Sequence, residues 1–114
     1  MLEITENIHN DIGVLKISGI MVDIDAMVLN EKVKNLVVHD VKKIVLDLSG
    51  VKFMNSCFGL GILTACWACV NRAGGKMIIA NPSTKVTQLL QITKLDQILE
   101  ISDSVKLAET GFHS

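Results

Sequence analysis

The chain has 114 residues, enough for one domain that buries roughly two-thirds of its surface around a single core, and nothing in it requires a second domain. Eleven Lys and Arg stand against twelve Asp and Glu, a formal net charge of −1, with aromatics at 4% and no Tyr. This balance argues against a basic nucleic-acid face and against base-stacking platforms.

No apolar run approaches the ~20 residues needed to span a bilayer, and MLEITENIHN lacks the basic flank and apolar segment of a signal peptide. The expectation is a cytoplasmic protein without membrane insertion. The three cysteines, Cys57, Cys66 and Cys69, are an odd count clustered in one segment, which suits reduced thiols packed as small hydrophobes.

In chain order, Leu2 to Ile8 and Ile12 to Gly19 are β-branched runs joined by Asn10-Asp11, the pattern of a hairpin. From Asp25 the spacing turns helical, with Leu29, Val33 and Leu36 on one face and His39-Asp40 at the end. Ile44 to Leu46 reads as a strand covered on both faces, ending in Asp47 and Leu48 before a polar turn. A second helix is expected from about Ser56 to Ala73, with Leu60, Leu63, Cys66, Trp67 and Val70 on its buried stripe and Gly74-Gly75 as a left-handed stop.

Met77 to Ala80 is a short buried strand. Asn81-Pro82-Ser83 opens a third helix, with Pro82 in its first turn and Val86, Leu89, Leu90 and Thr93 facing inward. Ile98 to Ile101 is a last strand, and Asp103 or Ser104 caps a terminal helix over Val105 to Glu109. Strands alternating with helices predict an α/β fold with a mainly parallel sheet and right-handed crossovers.

The search for chemistry finds little that converges. His9, His39 and His113 lie in a hairpin, at a helix end and in a tail, so no triad forms around Ser56 or a cysteine. Gly59-Leu60-Gly61 matches neither the dinucleotide fingerprint nor the P-loop, and its simplest use is close helix-to-sheet packing. Cys66 and Cys69 have CxxC spacing, but they fall more than two turns into their helix, where the dipole no longer lowers a thiol pKa. No second ligand pair completes a zinc site, and neither a metal nor a cofactor is expected.

Two apolar segments are expected in loops that leave the ends of strands, where α/β sheets place their ligands: Ile20-Met21-Val22 entering the first helix, and Met54, Cys57 and Phe58 flanking Ser56 in a second such loop. Ser56 itself stands where a helix should begin. A hydroxyl there is a cap, or it is a site where phosphate would add roughly −1.5 to −2 charges.

IVLDLSGVKFMNS with its Gly-x-Gly helix, then GGKMIIANPS, then VTQLLQITKLDQILEI, resembles the STAS domain, in particular the stand-alone bacterial anti-sigma factor antagonists. The resemblance covers about Lys16 to Ala108 and implies one STAS-like domain over residues 1–114, core about 12–109, with a mixed four- to five-stranded sheet and about four helices. It implies a non-catalytic protein, monomer or weak dimer, that binds an anti-sigma factor serine kinase and is switched by phosphorylation, with a PP2C-type phosphatase as a further partner. Ser56 matches the phosphoacceptor. Asn55 stands where the family has Asp, Cys57 replaces the next Ser, and Phe58 precedes or shifts the glycines. The family's acidic position after the second strand falls at Val22 by ungapped spacing, with Asp23 one place later. The partner surface so implied is Met21, Val22, Asp23, Met54, Asn55, Cys57, Phe58 and Gly59. The alternatives are a constitutive STAS scaffold subunit, as in a lipid-transport ATPase, and a small-molecule or nucleotide sensor using Gly59 and Gly61.

Overall fold

A computed structural model of the chain describes residues 2–21, 27–54 and 58–113. Two strands, β1 (Leu2–His9) and β2 (Ile12–Met21), form an antiparallel hairpin. Asn10 and Asp11 between them both have positive φ, 51° and 64°, as a two-residue turn that matches strand twist requires. There follow α1 (Met27–Val38), β3 (Lys43–Met54), α2 (Phe58–Arg72), β4 (Lys76–Ala80), α3 (Thr84–Ile92), β5 (Glu100–Ser102) and α4 (Val105–Thr110). The five strands lie in chain order, β1-β2-β3-β4-β5, and every pair after the first is parallel. The expected mixed α/β sheet with four helices is what the described residues form.

Side-chain alternation assigns the two faces. Leu15 and Ile17 of β2, Ile44, Leu46 and Leu48 of β3, and Met77 and Ile79 of β4 join the inner residues of α1, α2 and α3 in the main core. Ile12, Val14, Val45, Ile78 and Ala80 point the other way, onto Ala108 of α4 with Val105 and Phe112. Ile44-Val45-Leu46 is therefore covered on both sides, as its unbroken apolar run requires. The predicted stripes of α1 and α2 face the main core, with Trp67 partly buried against it.

Two glycines after α2 do different jobs. Gly74 takes the left-handed conformation, φ 81°, that ends the helix, whereas a Cβ on Gly75 would lie 2.3 Å from the Lys42 carbonyl oxygen.

The structure corrects several boundaries. The polar turn expected after Leu48 is absent, and β3 runs on to Met54. Ser49 and Gly50 belong to an irregularity in which β3 gains a residue against β2 between the pairs Lys16↔Asp47 and Ser18↔Gly50. Likewise β2 continues through Ile20 and Met21, so these two residues and Met54 lie in strands and not in loops. Phe58 is the first residue of α2. Pro82 precedes the cap of α3, since Ser83 Oγ accepts from the Val86 N–H at 3.2 Å and the helix starts at Thr84. Thr93 is exposed and caps the other end of that helix. The last strand is shifted to Glu100–Ser102, leaving Ile98 exposed, and Ser104 is the residue that caps α4, accepting from the Leu107 N–H.

Candidate functional site

β3 pairs with β4 only as far as Asp47↔Ala80; beyond that point it continues as a ribbon with β2. The ribbon ends with Ile20 opposite Phe53 and Met21 opposite Met54. Because the two strands are parallel, the chain leaves both at the same end of the sheet. It resumes in α1 at Met27 and in α2 at Phe58, and these helices pack against each other on the main-core face.

Of the residues expected to form the site, Val22, Asp23, Asn55, Ser56 and Cys57 lie outside the described residues. Met21 and Met54 are brought together as register partners, Phe58 opens α2, and Gly59 is buried in its first turn. Gly61 does not serve close packing, because a Cβ there would meet nothing within 4 Å.

Three exposed apolar side chains adjoin this end of the sheet: Ile20 at the end of β2, and Met27 and Val28 at the start of α1. Ile20 is among the residues to which the sequence points, and Met27 and Val28 are not. Their one signal was that they fall off the Leu29-Val33-Leu36 stripe while still being apolar. Neither α1 nor α2 has an acidic residue in its first turn, so the positive end of each helix dipole is not answered by a carboxylate of its own first turn.

Asp47 is the charged residue that the described core buries, at the point where β3 parts from β4. Its Oδ1 accepts from the Ser49 backbone N–H at 3.0 Å and from the Asn81 side-chain amide at 3.3 Å. Asn81 holds a positive φ of 55° and donates its own N–H to Ser102, so one residue joins the ends of β3, β4 and β5. These bonds brace the sheet just before the ribbon leaves it.

The histidines do not gather around a nucleophile among the described residues. His9 pairs with Glu109 of α4, tying the hairpin tip to the second face, and His39 Nδ1 donates to the Asn35 carbonyl. Burial, with Cys69 nearby, pushes the Cys66 thiol up to about 12. It is a neutral thiol at physiological pH, unsuited to nucleophilic or metal chemistry. Among the described residues no helix is long and apolar enough to cross a membrane, and no three His, Cys, Asp or Glu side chains could hold a metal ion.

Comparison with known proteins gives consistent relatives. Residues 3–108 match the STAS domain family. A Thermotoga neapolitana protein named as a candidate anti-sigma factor antagonist is 36% identical over 66 residues, which is 58% of this chain and 58% of that protein. The anti-sigma F factor antagonist of Paenibacillus polymyxa is 27% identical over 107 residues, 90% of this chain and 88% of that protein. Among solved structures, a candidate anti-sigma factor antagonist of Thermotoga maritima superposes with a TM-score of 0.87 at 26% identity, over 97% of this chain and 95% of its own.

Proposed function

The chain belongs to the STAS domain family, and from that premise we propose that it is an anti-sigma factor antagonist: a non-catalytic domain that docks on an anti-sigma factor through the end of its β2-β3 ribbon. The observation that carries this reading is the Met21↔Met54 pairing, which brings the ends of β2 and β3 to one place. Ile20, Met27 and Val28 supply exposed apolar surface there, of the kind that a protein interface covers. The names of the Thermotoga and Paenibacillus relatives agree with the assignment.

The partner is an anti-sigma factor with serine kinase activity, and Ser56 is the residue it phosphorylates. Support comes from position: Ser56 is two residues after Met54, where β3 ends, and two before Phe58, where α2 begins. A phosphate beside the start of α2 meets a favourable dipole, so the domain keeps its fold. The same phosphate, carrying roughly −1.5 to −2 charges, would have to be desolvated against apolar surface when the partner docks. A loss of about 3 kcal/mol weakens binding more than a hundredfold, so the switch needs no large structural change.

Incubation with the cognate anti-sigma kinase and ATP, followed by peptide mass spectrometry, tests the assignment. Phosphate on Ser56 and weakened binding of Ser56→Asp are the expected results. Binding without modification would retain the antagonist and remove the switch; no binding at all would remove both.

A further inference from the structure

A groove of about 300 Å³ runs between α1 and α2, lined by Asn30 and Lys34 on one side and by Ala65, Ala68, Cys69 and Arg72 on the other. Each set is a helix stripe, since the residues recur at three- and four-residue steps. The two alanines leave the α2 wall low, and the space between the stripes stays open.

The polar groups that meet here are matched in sign. Among the described residues no carboxylate lines the groove, and neither Lys34 nor Arg72 has an ion-pair partner. Asn30 adds a donor. The Cys66 thiol, kept protonated by burial, donates to Asn30 Oδ1 at 3.9 Å. This weak S–H···O contact involves the amide oxygen, and the Asn30 Nδ2 donors, on the groove wall, have no acceptor among the described residues.

We propose that the α1-α2 groove binds a small dianion, a phosphate monoester or a dicarboxylate, held by Arg72, Lys34 and the Asn30 amide. The guanidinium fork takes two oxygens of one oxyanion, the ammonium supplies a second charge, and the amide donates to a remaining lone pair. Arg72 also sits in the last turn of α2, where any cation suits the helix dipole, but that role uses its charge and leaves its N–H donors available. The lining residues of α2 begin at Ala65, two turns beyond the helix start at Phe58, and the site does not depend on the antagonist assignment.

Cys69, at the groove wall, reports occupancy. The full chain is treated with iodoacetamide, a neutral reagent, and modification of Cys69 is timed by peptide mass spectrometry in glycerol 3-phosphate, in succinate, and in neutral succinamide at matched ionic strength. A dianion at about twice its dissociation constant should slow the reaction roughly threefold, and the Lys34→Ala, Arg72→Ala double variant should lose the protection. Both side chains are exposed, so the variant should keep its fold, which its thermal midpoint checks. Protection by the phosphate ester alone, by succinate alone or by both supports the site and names the ligand class. No protection by either dianion, equal protection by succinamide, or protection that survives in the double variant overturns it.

Discussion

The side-chain amide of Asn81 donates to the Asp47 carboxylate at 3.3 Å, and this bond marks where β3 leaves β4 to form a ribbon with β2. The same oxygen receives the Ser49 N–H, so one buried carboxylate braces both the irregularity in β3 and the exit from β4. Replacing Asp47 with Ala removes a charged acceptor from two part-buried hydrogen bonds and should destabilise the fold by about 1–3 kcal/mol. Asp47→Asn retains an acceptor oxygen and should cost less. Urea unfolding of both variants measures the difference.

Cys66 predicts a pH dependence. Its thiol is moved from 9.0 to about 12 in the folded protein, chiefly by burial, so the folded state holds the proton more tightly than the unfolded chain. That stability is fully present below pH 9 and is lost as pH rises toward 12. The fall in unfolding free energy over this window should be shallower in Cys66→Ala than in wild type, whatever the variant's stability at neutral pH.

Two glycines should respond in opposite directions. Gly75→Ala places a Cβ 2.3 Å from a backbone oxygen and should cost about 1–3 kcal/mol, because that neighbour cannot swing aside. Gly61→Ala, exposed in α2 with open space around it, should stabilise by up to about 1 kcal/mol through helix propensity. Thermal melts of the pair check both signs.

Much of the fold was legible because burial leaves a period in the sequence. The two-sided run Ile44-Val45-Leu46 and the Leu29-Val33-Leu36 stripe each admitted one good placement, and the structure uses it. Glycine was less readable. Gly50 looked like a turn, yet it lies inside β3, where a Cβ would come within 2.4 Å of Ser18 Oγ. A glycine reports that something requires a missing side chain, and a chain reversal and a close strand approach both do.

The setting of the proposed site was legible only in part. The sequence shows that strands end near Gly19 and after Leu48, but the full lengths of β2 and β3 depend on pairing between residues distant in sequence, which no local pattern encodes. Met27 and Val28 show the other limit. An apolar residue off the buried stripe reads as an accident of composition until the structure leaves it exposed beside a strand end.

Phosphorylation should act through charge. Ser56→Asp should weaken kinase binding and Ser56→Ala should preserve it, with both variants keeping a stability within about 1 kcal/mol of wild type, so that the loss of binding is not a loss of fold. Calorimetric titration measures the first effect and thermal unfolding the second.

The central claim is that the partner docks at the end of the β2-β3 ribbon, and α1 carries its own control. Val28 and Val38 are both exposed, at 49% and 72%, and stand ten residues apart, ~15 Å along one helix. Titration of the cognate anti-sigma factor with Val28→Glu and Val38→Glu compares the same chemical change at the two ends. The account predicts at least a tenfold loss of affinity for Val28→Glu, about 1.4 kcal/mol, with Val38→Glu close to wild type. Undiminished binding by Val28→Glu together with loss in Val38→Glu would contradict it.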